Sequence, residues 1–164
     1  MISHRAAGTF DWAGVRLVAF DVDGTLYSQS RLRLRIAREM LIDAVIRQSL
    51  EAVTIVRAYR QIREWMAERE VADYEGALVL ETARATRRLP ERVRGIVGEW
   101  MERRPLRHLA ACRYPGVLEL FAGLRGNGKM IGIFSDYPIQ AKLDALELRA
   151  DYIVSAAESG VGIL

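Results

Sequence analysis

Cysteine is almost missing from this 164-residue chain. Cys112 stands alone, so no internal disulfide can hold the fold, and a reducing, cytoplasmic setting is the simplest expectation. No run approaches ~18 consecutive apolar residues, which excludes a transmembrane helix. Residues Met1 to Asp11 lack a long apolar core and a small-residue cleavage site, so they do not read as a signal peptide. Lysine is scarce as well: of 24 basic residues only Lys129 and Lys142 are lysines. No internal repeat and no low-complexity segment interrupts the chain. What remains is ordinary for a soluble globular protein, 51% hydrophobic and 27% charged. The length suits one compact domain or a small core with an inserted module.

The net charge of +3 is unevenly placed. Residues 28–112 hold 17 arginines and 12 acids, whereas the rest of the chain holds 7 basic and 9 acidic residues. A basic segment could draw in an acidic or phosphorylated substrate. A solvated helical surface laced with ion pairs accounts for the same pattern. Few aromatics lie between the arginines and no nucleic-acid motif appears, so nucleic acid is not an expected partner.

Hydropathy patterning divides the chain in the same way. Val15 to Phe20 is short, β-branched and mostly apolar, which suits a strand buried on both faces of a parallel sheet. From Arg31 to about Arg69 apolar residues recur every three or four positions, among them Leu32, Ile36, Met40, Leu41, Val45, Val53, Val56, Ile62, Trp65 and Met66. That is amphipathic helix spacing. Glu75 to Arg88 continues it, Leu89-Pro90 breaks it, Glu91 to Arg103 resumes it, and Arg104-Pro105 is expected to break it again. After Tyr114-Pro115-Gly116 comes a helix from Val117 to Arg125, then a turn at Gly126-Asn127-Gly128. A second strand, Met130 to Phe134, is closed by Ser135-Asp136. A helix starting near Pro138 and running to about Leu148 precedes a third strand at Asp151 to Val154. Strand, helices, strand, helix, strand predicts an α/β fold: a Rossmann-like parallel sheet core with an inserted all-helical cap. The expected boundaries are core over 1–27, helical cap over 28–112, and core again over 113–164.

Ligands of such sheets bind at the carboxyl ends of the strands. There the first strand delivers Asp21-Val22-Asp23-Gly24-Thr25, and the second delivers Ser135 and Asp136. Asp21 and Asp23 are an i, i+2 pair, so both side chains can leave the strand end on one side. Gly24 permits a tight reversal directly behind them. Two close carboxylates need a cation or a proton to coexist, and Mg²⁺ suits hard oxygen ligands beside a phosphate. One acid can attack phosphorus while the other serves as general acid and base. Taken alone, the stretch is equally readable as a turn after a strand. It is not an EF-hand, because glycine falls at the fourth position and no glutamate stands at the twelfth.

Phe20-Asp21-Val22-Asp23-Gly24-Thr25-Leu26-Tyr27 resembles the first signature of haloacid dehalogenase-like hydrolases, and Ile133-Phe134-Ser135-Asp136 resembles the second. Tyr114-Pro115-Gly116-Val117 resembles the segment that re-enters the core after a helical cap. The resemblance covers roughly residues 15–164. It implies Asp21 as nucleophile and magnesium ligand, and Asp23 as acid/base with its backbone carbonyl on the metal. It implies Ser135 as the group that binds the transferring phosphoryl, with Asp136, Gly24 and Thr25 lining the phosphate site. Gly24 and Thr25 would also begin the mobile segment that opens and closes that site. An acid at position 23 favours phosphate over dehalogenation chemistry. The implied activity is that of a magnesium-dependent phosphomonoesterase acting on a small phosphorylated metabolite, with a phosphomutase as a variant. A non-catalytic remnant that binds a ligand or partner is the alternative from another class.

The resemblance is incomplete. The third signature, a lysine commonly followed by proline, and the fourth, an acidic pair, do not occur among the 164 residues. The expectation is therefore a shortened chain with weak or no turnover. The lesser candidates are Glu158 and Asp136 as further metal groups, the Arg31, Arg33, Arg35 and Arg38 cluster as an anion grip, and His4, His108 and Cys112. For each of these a structural role is the simpler expectation. Oligomeric state is not legible in the sequence.

Overall fold

The computed structural model describes residues 11–67, 73–135 and 139–155. Over these the chain forms two compact units, one through Tyr27 and again from Arg113, the other from Ser28 to Cys112.

The first unit is an α/β core. Strands β1 (Leu17–Phe20), β2 (Met130–Ser135) and β3 (Tyr152–Ser155) form a parallel sheet in the order β1-β2-β3. Phe20 is in register with Ile133 and Ser135 with Ser155, so the carboxyl ends of the strands share one edge. Helix α6 (Val117–Gly126) enters through Gly116, whose φ of +84° suits a residue without Cβ. Its buried Phe121 packs against Phe20, with ring centroids 5.1 Å apart. Helix α7 (Gln140–Ala145) precedes β3, and its neighbours Ile139, Leu143, Leu146 and Leu148 are all buried. One expectation needs correcting. β1 is not buried on both faces: Leu17 and Ala19 are exposed, and Val18 and Phe20 only partly covered. Full burial belongs to β2, where Ile131, Gly132 and Ile133 lie between two paired neighbours. Among the described residues β1 has a partner on one side only, and such a strand shields less of its surface.

The second unit is all-helical: α1 (Gln29–Ile46), α2 (Glu51–Met66), α3 (Tyr74–Thr86), α4 (Pro90–Val97), a π-helical segment (Gly98–Arg103) and α5 (Arg104–Cys112). Ser28 caps α1 by accepting the N–H of Arg31, and Pro90 starts α4 where its missing N–H costs nothing. Ile36, Ile55, Val56, Leu78, Val93 and Trp100 anchor one buried core. The expected inward residues Leu41, Val45 and Trp65 are exposed instead. On α1 the buried positions are Ile36, Met40 and Ala44, a four-residue spacing that turns Leu41 and Val45 off the stripe.

The expected break at Arg104-Pro105 does not occur. The chain stays helical from Pro90 to Cys112, and the π-helical turn absorbs the proline. There the Arg104 N–H reaches back five residues to the Glu99 carbonyl. The widened turn relieves the clash that a proline ring makes with the carbonyl four residues behind it. The Arg104 guanidinium stacks 3.8 Å from the Trp100 ring and binds Glu99 and Glu39.

Candidate active site

The loop that follows β1 is shaped by its apolar residues. Val22 and Leu26 are buried, and the N–H groups of Thr25 and Leu26 both donate to the Val22 carbonyl, at 3.3 and 3.1 Å. Gly24 has a φ of +98°, a conformation that a Cβ disfavours, and this closes the reversal. With Val22 and Leu26 held inward, Asp21 is exposed at the strand edge and Asp23 is half-covered.

The two acids have different surroundings. Asp21 Oδ2 accepts the Thr25 hydroxyl at 2.9 Å, and among the described residues Oδ1 takes no hydrogen bond. Asp23 is gripped far more tightly. Its Oδ1 accepts the buried Tyr27 hydroxyl at 2.6 Å, and Lys142 Nζ donates to Oδ1 at 2.8 Å and to Oδ2 at 2.7 Å. The carboxylate pair is thus divided between a lightly held acid and one locked by three donor contacts. Ser135 is buried at the last position of β2, on the edge where β1 releases Asp21. Thr25 uses both of its donors inside the loop, the N–H on Val22 and the hydroxyl on Asp21. Asp136, Glu158 and His4 lie outside the described residues.

Two partners of Asp23 are not legible in the sequence. Tyr27 closes the first signature stretch, but in a loop its four-residue distance from Asp23 carries no signal that the two touch. Lys142 lies 119 residues away from the acid it binds. Its only sequence cue is that it is one of two lysines in an arginine-rich chain. Lys129, the other, donates to the Trp12 carbonyl at 2.8 Å.

The lesser candidates fall into structural settings. His108 Nε2 is 3.0 Å from Glu39, Cys112 is wholly buried, and Arg31, Arg33, Arg35 and Arg38 are exposed along α1. Two open hollows, of about 380 and 270 Å³, are lined only by residues of the helical unit. The larger is bordered by Glu51 and Arg88, which already pair at 2.8 Å. Among the described residues no three His, Cys, Asp or Glu side chains converge on one point, and no helix is long and apolar enough to cross a membrane.

A family model described as haloacid dehalogenase-like hydrolase matches residues 15–163. No curated protein matches the chain.

Proposed function

The chain belongs to the haloacid dehalogenase-like hydrolase family, and from that premise we propose that it hydrolyses small phosphate monoesters, using Asp21 as nucleophile and Mg²⁺ as cofactor. One observation carries the reading. Asp21 and Asp23 lead into a positive-φ turn at Gly24, at the carboxyl edge of a parallel sheet where β2 ends in Ser135. In α/β sheets this edge is where ligands are taken up.

A carboxylate oxygen of Asp21 attacks phosphorus, the ester P–O bond breaks, and the phosphoryl group passes to Asp21 as an aspartyl phosphate. Asp23 gives a proton to the departing oxygen. It then takes one from the water that attacks phosphorus and releases inorganic phosphate, restoring Asp21. Ser135 donates its hydroxyl to a phosphoryl oxygen, and the N–H of Gly24 adds a dipole of the same sign. Thr25 holds Asp21 in place through its hydroxyl. The donor set suits Mg²⁺. Asp21 retains Oδ1 and Asp23 its backbone carbonyl, neither with a described hydrogen bond. Mg²⁺ commonly takes one or two protein oxygens and fills the rest of its shell with water and phosphate. When bound, the ion offsets charge between Asp21 and the phosphate oxygens. Residues 28–112 act as a cap that shapes substrate choice.

A non-catalytic module that binds a ligand or partner is the alternative reading. The two readings separate on phosphate release from p-nitrophenyl phosphate, at protein concentrations high enough to register slow turnover. Release that requires Mg²⁺ and disappears in Asp21→Asn is expected. Equal release from the wild type and Asp21→Asn would sink the enzymatic reading.

A further inference from the structure

We infer that Lys142 is a positioning residue of the reaction: its ammonium, together with the Tyr27 hydroxyl, holds the Asp23 carboxylate in one orientation. The inference rests on the phosphohydrolase reading above and adds to it a residue from a segment that no signature covers.

The support is geometric. Three contacts of 2.6 to 2.8 Å converge on one carboxylate, two from Lys142 and one from Tyr27. Charge-assisted hydrogen bonds of this length are the strong kind. They restrain both side-chain torsions of Asp23, because the donors approach its two oxygens from separate elements. Both donors are themselves fixed. Tyr27 is buried, and its backbone bridges to Arg113. Lys142 sits on α7, which is seated by Ile139, Leu143 and Leu146. The end of α7 is tied down by Arg113, which donates to the Leu146 carbonyl and pairs with Glu147 at 3.1 Å. The far end of the loop, pinned by the Tyr27–Arg113 bridge, and helix α7 thus converge on Asp23. Asp21, by contrast, has only the neighbouring Thr25 among the described residues.

This asymmetry matches what the two acids are asked to do. A nucleophile must move toward phosphorus, whereas a proton-transfer group must already stand within reach of the leaving oxygen. An error of about 1 Å in such placement costs on the order of 10²-fold in rate. A flexible ammonium can bind both carboxylate oxygens from one point, while a guanidinium fork imposes its own spacing.

The test uses the full chain with Mg²⁺ and two esters. One is p-nitrophenyl phosphate, whose leaving group departs without a proton; the other is β-glycerophosphate, whose alkoxide needs one. Lys142→Met is expected to lower kcat/KM on β-glycerophosphate by roughly 10- to 100-fold. The loss on p-nitrophenyl phosphate is smaller. Lys142→Arg restores part of the loss, and Lys142→Met costs nothing further in an Asp23→Asn background, because the lysine acts through that acid. Thermal unfolding of each variant shows whether a lost rate is merely lost folded protein. If the wild type turns over and folded Lys142→Met equals it, the positioning role is overturned alone. Equal losses on the two esters, or an undiminished loss in the Asp23→Asn background, overturn it as well. If the wild type shows no Asp21-dependent turnover on either ester, the phosphohydrolase reading fails and takes this role with it.

Discussion

The helical unit and the α/β core use charge in opposite ways. In the helical unit many pairs are local: Arg47 with Asp43, Arg84 with Glu81, and Arg103 with Glu99 lie three or four residues apart along a helix. Such exposed pairs contribute a few tenths of a kcal/mol each, ~0.3–0.5. Other pairs cross between helices and are better enclosed, with Glu51 receiving Arg88 and Arg92, and Glu39 receiving Arg104. They tie together elements that already share an apolar core. In the core unit the ion pair at the candidate site, Lys142 with Asp23, is long-range and sits on a candidate acid. Abundant charge on a helical surface thus says little about function, while one lysine drawn to a strand edge says a good deal.

That contrast can be broken at several points. The largest effect is expected from Asp21→Asn, which should cut phosphate release by at least about 10³-fold. Its urea midpoint should stay at the wild-type value, since Asp21 is exposed and holds one hydrogen bond. Trp100→Ala addresses the other unit. Removing a buried indole that also carries Arg104 should cost about 3–5 kcal/mol in urea unfolding. Little loss there would mean that the helical core is not the main support of that unit. Gly24→Ala comes next: at a φ of +98° a Cβ should cost roughly 1–3 kcal/mol and displace the acid pair. A drop in turnover larger than the drop in folded fraction would sharpen the link between this turn and the chemistry.

The smallest effect concerns pH. The Arg92 hydrogen bond, opposed by partial burial and aided by Arg88, holds Glu51 below its ordinary value of 4.5. Glu99 is lowered in the same direction, first by Arg104 and then by Arg103. A carboxylate depressed in the folded state releases its proton more readily there than in the unfolded chain. Its stabilisation is therefore complete above the unfolded value, near 4.5, and is lost as pH falls through the lower folded value. Unfolding midpoints should fall with acidification below about pH 4.5, and Glu51→Gln should flatten that slope. At neutral pH the same substitution should cost no more than about 1 kcal/mol, because its arginine partners are half exposed. A slope unchanged by Glu51→Gln would show that these inter-helix pairs do not couple to folding.

Much of the architecture was legible in local pattern. The Leu89-Pro90 start of α4, the turn at Gly126-Asn127-Gly128 and the three short apolar strands follow from propensity and punctuation. The errors share a cause. Burial of β1 and of Leu41, and the fate of the helix at Pro105, depend on which neighbours a segment finds, and no local pattern carries that information.

By itself the sequence determined the alternation of strands and helices, the acids Asp21 and Asp23 after the first strand, and Ser135 at the end of the second, because periodicity and turn chemistry act over a few residues. Only the tertiary structure decided how unequally those acids are held. The lysine that grips Asp23 stands 119 residues away on α7, and that helix is oriented by side chains buried beneath it. Contacts across such a span are fixed by packing, whose outcome is set by the whole core at once.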